Sequence, residues 1–201
     1  MNYLGHFFLS PPGQEQILLG NFLGDFVKGD IKQHNLPPEV SHGIAIHRAI
    51  DSFTDQHELI LKAKHLFSNK HRRYSGIILD MCLDHFLARY WSDYNPQPLN
   101  IFSTDIYHAL NQNLENMPEL AKRTAISMQR YNWLCSYSEL DNLEVAFTNI
   151  GQRLTRDNPM QSAVGELKRL YAALEEMFRQ FIKEIANHIN TFSFQVLNKS
   201  N

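Results

Sequence analysis

The stretch GIAIHRAIDSFTDQH, residues 43–57, decides what kind of fold this chain adopts. Its apolar residues Ile46, Ile50 and Phe53 recur at intervals of four and three, the period of an α-helix. On the same helix His47, Asp51 and Asp55 fall four apart and form one polar ridge about three turns long. A ridge that flanks a buried stripe lies at the edge of a core, where its side chains point into a cleft. Histidine and carboxylate together there make a ligand set for a cation, although the same spacing also describes a solvated helix face with an i, i+4 contact.

The helical period extends outward in both directions. Strand signals are scarce, valine is rare, and apolar positions three and four apart predict helices at about 14–28, 38–55, 57–68, 71–92, 98–115, 119–131, 137–155 and 160–191. Pro11-Pro12-Gly13, Pro37-Pro38, Asn95-Pro96 and Asp157-Asn158-Pro159 punctuate them. The last helix carries Leu167, Leu170, Leu174, Met177, Phe178, Phe181 and Ile185 at core spacing, and the tail NKSN is expected to fray. The fold class is therefore all-α. With 201 residues, 43% of them hydrophobic, and no repeat or low-complexity linker, a single-domain helical bundle over 1–201 is expected.

Formal net charge is −2, which argues against a general nucleic-acid binder and leaves local patches. One stands out in KAKHLFSNKHRR, residues 62–73, where Lys62, Lys64, Lys70, Arg72 and Arg73 lie among histidines with no acidic residue. It reads either as a docking surface for something acidic or as an ordinary basic helix end. No run approaches the roughly 18 apolar residues of a membrane span, and MNYLGHFFLSPPG has no signal-peptide pattern, so a soluble, cytoplasmic protein is expected. Cys82 and Cys135 lack a metal-binding or disulfide pattern and read as core thiols.

Three further segments place ionisable groups among apolar residues. LLGNFLGDFVKGD sets Asp25 after Gly20 and Gly24, two small residues that permit close helix approach. ILDMCLDHFLARYW carries Asp80, Asp84 and His85, and NYLGHFFL carries His6, a weaker candidate that also reads as a satisfied core histidine. Buried carboxylates need partners, and helical bundles assemble cation sites from such groups on facing helices. Mixed imidazole and carboxylate ligands favour Mn²⁺ or Mg²⁺, with Fe²⁺ or Zn²⁺ also accommodated. Such a cation activates water and neutralises a phosphate ester, and Arg48, beside His47, is a candidate contact for a phosphoryl oxygen.

Taken together, MNYLGHFFLS, GNFLGDFVKG, HRAIDSFTD and LDHFLARYW, in this order, resemble the acyl carrier protein phosphodiesterase family, which is similar to a divergent branch of the HD phosphohydrolases. The resemblance implies an HD-like helical bundle. It implies hydrolysis of the phosphodiester that links 4′-phosphopantetheine to a serine of holo acyl carrier protein, with Mn²⁺ as the favoured cation. Carried over block by block, it implies a metal-centred set of Asp25, His47, Asp51, Asp84 and His85, with Arg48 at the phosphate and Asp55 and Asp80 farther out. The adjacent pair reads Asp84-His85, the reverse of the superfamily's His-Asp. Which of His47 and His85 ligates, and which serves as acid or base, therefore stays open. An acidic carrier partner would give Lys70, Arg72 and Arg73 a docking role. Two alternatives stand beside this reading: an HD-like phosphohydrolase acting on a nucleotide or other small phosphoester, and a non-enzymatic helical binding module whose His and Asp residues satisfy one another.

Overall fold

The computed structural model describes residues 1–198, with side chains described through residue 194. Among the described residues the structure is all-α, with eleven α-helices, four short 3₁₀ turns and no strand. The predicted fraying of the tail falls on residues 199–201, outside the described residues. The helices are α1 (Tyr3–Phe8), α2 (Glu15–Leu23), α3 (Pro38–Gln56), α4 (Glu58–Leu66), α5 (Asn69–Arg72), α6 (Ser75–Arg89), α7 (Leu99–Gln112), α8 (Glu119–Arg130), α9 (Trp133–Ser136), α10 (Leu140–Arg153) and α11 (Ala163–Asn198).

The 36-residue α11 is the spine of the bundle, packing against α3, α4, α6 and α10. All seven apolar residues expected to face the core from this helix are buried, with Leu167, Leu174, Phe178, Phe181 and Ile185 fully so. Ile46 and Ile50 of α3 are buried as the opening stretch predicts, whereas Phe53 is only partly covered and stacks on His188. The buried side chains form one contiguous cluster. No helix among the described residues is long and apolar enough to cross a membrane.

Helices α2 and α3 pack backbone to backbone because glycines face each other at their crossing. A Cβ on Gly20 would collide with the Val40 carbonyl oxygen, and one on Gly43 with the Ile17 carbonyl oxygen. This contact fixes the distance between the elements that carry Asn21 and His47.

Two predicted helices differ from the observed ones, and one observed helix was not predicted, in ways that bear on the site. The segment predicted as helix 14–28 leaves the α-helix at Leu23 and closes with turns in which the Phe26 and Val27 amides donate to the Leu23 carbonyl. The segment 71–92 begins with a separate turn, α5, whose His71 is fixed between Ser68 and Ser162. The N-terminal run, left without a helix by the sequence pattern, forms α1, which packs on α6 and α2.

Candidate metal centre

The first turns of the chain explain how the site is assembled. A six-residue helix is too short to stand alone in water, so α1 needs support from outside. Asp84 of α6 supplies it: the backbone amides of Leu4 and Gly5 donate to its carboxylate at 2.7 and 3.1 Å, and that of Asn2 at 3.3 Å. The carboxylate is fully buried and acts as a remote cap on the positive end of α1. Burial pushes its carboxyl up to about 7, against the pull of the Met1 amine and of the Leu4 and Gly5 amides. Leu4 and Phe7 enter the core, and His6 is thereby turned toward α3.

His6, His47 and Asp51 meet in one group whose ligand atoms all lie within 4.8 Å of one another. The two imidazoles stack at 4.1 Å between ring centroids. Asp51 faces both, with Oδ1 at 3.2 Å from His6 Nε2 and Oδ2 at 3.1 Å from His47 Nε2. Asp25 stands farther out, its Oδ1 at 3.7 Å from His47 Nε2.

Asn21 sets the protonation of both rings. Its amide nitrogen donates to the His6 carbonyl at 2.8 Å and to Ser10 Oγ at 2.9 Å, which leaves its side-chain oxygen facing His6 Nδ1 at 3.0 Å. Its backbone carbonyl accepts from His47 Nδ1 at 2.8 Å. Both Nδ1 atoms are therefore donors, and in the neutral rings both Nε2 atoms are bare lone pairs aimed at Asp51. His6 Nε2 is also 3.2 Å from the Met1 carbonyl oxygen. Lone pairs, carboxylate oxygens and a carbonyl oxygen thus converge with no proton of their own to share, and a cation satisfies all of them. Burial lowers the His6 pKa, with the charges on His47 and the Met1 amine acting in the same direction and Asp51 opposing them. Burial also acts to raise the Asp51 pKa, but the His47 and His6 rings beside it outweigh it and hold the carboxyl well below its usual range. The neutral His6 ring and ionised Asp51 carboxylate suited to metal ligation are thus favoured.

Of the residues singled out from the sequence, the structure brings His47, Asp51 and Asp25 together and adds His6. It does not bring Asp84 and His85 to them. Asp84 is committed to the α1 amides, and His85, one position along and on another face of α6, is bonded through Nδ1 to the Tyr137 carbonyl at 2.8 Å and through Nε2 to the Tyr171 hydroxyl at 3.0 Å. Asp80 pairs with the Met1 amine at 3.0 Å, and Asp55 with Lys64 at 3.2 Å. Asp25 is not buried in an apolar helix. Because α2 ends at Leu23, it sits in the following turn with 48% of its side chain exposed. Arg48 donates to the Val27 and Gly29 carbonyls at 3.2 and 2.8 Å, so it fastens the loop that follows Asp25.

Sequence reasoning missed Asn21 and the function of Gly24. Asn21 carried a signal, a fully buried amide between Gly20 and Phe22 in an otherwise apolar run. Gly24 is needed because the His47 ring occupies the space a Cβ would take.

The assignment of Asp84 has a measurable consequence. Asp84→Ala leaves the buried Leu4 and Gly5 amides without their acceptor and is expected to lower folding stability by about 3–5 kcal/mol in denaturant unfolding. At a temperature where the variant is still folded, it should bind Mn²⁺ with unchanged stoichiometry. Loss of the cation from the folded variant would make Asp84 a ligand.

A sequence model described as acyl carrier protein phosphodiesterase matches residues 1–185. The chain belongs to the acyl carrier protein phosphodiesterase family. A Photorhabdus laumondii protein of that name is 34% identical over 185 residues, covering 90% of this chain and 91% of its own length. Proteins of the same name from Escherichia coli and Shigella boydii are each 34% identical over 186 residues, covering 90% of this chain and 93% of theirs. No solved structure matches the chain. The family match includes every residue of the cluster described above, together with Asn21, Gly24 and Asp84.

Proposed function

We propose that this member of the acyl carrier protein phosphodiesterase family hydrolyses the diester between 4′-phosphopantetheine and the serine of holo acyl carrier protein, releasing apo carrier and free 4′-phosphopantetheine. The observation that carries this reading is the convergence of two bare imidazole nitrogens on Asp51, with both Nδ1 protons tied to Asn21. The relatives' name supplies the substrate class.

His6, His47 and Asp51 would hold the cation, with Asp25 completing the set from the solvent side. Two nitrogens, carboxylate oxygens and no thiolate suit Mn²⁺, with Mg²⁺ or Fe²⁺ as substitutes. When bound, the cation lowers the pKa of a water and offsets the negative charge of the phosphodiester. Water oxygen bonds to phosphorus, the bond from phosphorus to the serine oxygen breaks, and a proton goes to that oxygen to give the serine hydroxyl. Asp25, the outermost carboxylate, is placed to accept the proton from the attacking water. Arg48 acts here by securing the loop that follows Asp25. We read residues 1–201 as one HD-like helical domain working in the cytoplasm, in keeping with the single contiguous core.

The basic stretch fits an acidic partner. Lys62 and Lys64 are paired with Glu58 and Asp55, whereas Lys70, Arg72 and Arg73 are exposed and have no acidic partner among the described residues. Their base is rigid, because the Ser68 amide donates to Glu166 at 2.6 Å and Glu166 is held by Arg169. Reversing all three charges to glutamate is expected to raise KM for holo carrier about tenfold at low salt, with kcat within about twofold. The difference should shrink as salt is added. An unchanged KM at low salt would remove the patch from the docking surface.

Intact-mass spectrometry of holo carrier incubated with the protein tests the function itself. Loss of the phosphopantetheine mass is expected with Mn²⁺ and not with chelator. A carrier of unchanged mass in the presence of bound cation would transfer the activity to another phosphoester. Neither activity nor bound cation would leave a helical binding module.

A further inference from the structure

A groove of about 930 Å³, lined in part by Asp25, the carboxylate nearest the cluster, runs between α6, α8, α9 and α10. Asp25 and Tyr3 line it together with Arg153, and Trp133, Val145 and Asn149 form other parts of its wall. Its size is that of a pocket for an extended small molecule. The position of Trp133 is built in: the Leu134 amide donates to the Tyr107 hydroxyl at 3.1 Å, and that hydroxyl donates to Asn132, so α9 is fixed where it presents the indole.

Two features of the wall have no structural use within the chain. Val145 projects from α10 with 61% of its surface exposed. Arg153 is exposed and makes no ion pair among the described residues, yet it stands close enough to Tyr3 for its charge, like that of Asp25, to act on the phenol. A cation without a carboxylate, in a groove that also reaches Asp25, is a place for an anion. Beyond it the walls alternate amides with apolar surface, which suits a chain of amides, methyl groups and methylenes ending away from its phosphate.

We propose that this groove seats the arm of 4′-phosphopantetheine, with Arg153 on its phosphate and Asn149, Val145 and Trp133 along its length. This rests on the phosphodiesterase reading and adds to it the residues that select the arm. The phosphate lies between Arg153 and the cluster, so the carrier's serine enters from the α3 side. The arm points along α10, away from the chemistry.

The test uses the whole protein and free 4′-phosphopantetheine, followed by tryptophan fluorescence. The chain has two tryptophans, and Trp91 is buried, so the change on binding is expected from Trp133 and should vanish in Trp133→Phe. Arg153→Gln is expected to weaken binding of 4′-phosphopantetheine at least about tenfold and to leave binding of pantetheine, which lacks the phosphate, unchanged. Val145→Phe, which narrows the groove, should weaken both. Both positions are exposed, so neither substitution disturbs the core. If wild-type protein cleaves holo carrier and neither substitution alters binding, the groove assignment is overturned and the function stands. If wild-type protein fails to cleave holo carrier yet binds 4′-phosphopantetheine with these dependences, the function falls and the groove stands. Absence of binding by wild-type protein overturns the groove whatever the activity.

Discussion

Asp51→Asn is expected to reduce cleavage of holo acyl carrier protein by at least about 100-fold and to abolish stoichiometric Mn²⁺ binding while leaving the protein folded. The carboxylate is shared by both imidazoles, so its charge is what makes the convergence of His6 and His47 attractive to a cation. Asparagine keeps the shape and can donate one N–H to a bare Nε2, but it removes the negative charge. In the metal-free protein the asparagine keeps the shape of the site at a partly exposed position of α3, so the variant should still unfold in one cooperative transition. Calorimetric titration with Mn²⁺ and a melting curve check the two halves separately. A variant that kept wild-type affinity for the cation would show that Asp51 does not ligate.

Gly20→Ala is expected to destabilise the fold by about 3 kcal/mol or more and to lower cation affinity at the same time. The added methyl would meet the Val40 carbonyl group and the Gly43 Cα, which are backbone atoms and cannot rotate aside. Relief requires α2 and α3 to separate. Asn21 lies next to Gly20 and bonds both site histidines, so separation pulls the Nδ1 acceptors away from His6 and His47. Gly43→Ala, against the Ile17 carbonyl, should reproduce both effects from the other helix. Chemical denaturation with parallel Mn²⁺ titration measures them, and a Gly20→Ala protein of wild-type stability would mean that the helices do not cross this closely.

Much of the fold is legible because its helices follow the rule that sequence reading uses, a 3.6-residue apolar period closed by proline. α3 spans Pro38–Gln56 where 38–55 was expected, and α11 buries the residues its spacing assigns to the core. α1 could not be read in the same way. It has six residues, and its stabilising carboxylate, Asp84, comes from α6, far along the chain. The end of α2 was overrun because Phe26 and Val27 continue the apolar period after the backbone has turned.

The site was legible in part for a related reason. His47 and Asp51 sit four apart on one long helix, so local spacing announces them as neighbours. Asp84 and His85 carried the same signal of ionisable groups in an apolar helix, yet that signal records only that partners exist. One found backbone amides and the other a carbonyl and a phenol, and composition does not distinguish those partners from a metal. His6 looked like a satisfied core histidine. It is buried and hydrogen-bonded, as that reading requires, and its second nitrogen still faces Asp51.

The central claim is that the cation is held between α1 and α3, with α6 supporting the arrangement from behind. Anomalous diffraction from a crystal of the protein grown with Mn²⁺ tests it most directly. The account predicts one strong peak within ligand distance of His6 Nε2, His47 Nε2 and Asp51, on the side open to Asp25. A peak beside Asp84 and His85, with none between the stacked imidazoles, would contradict it.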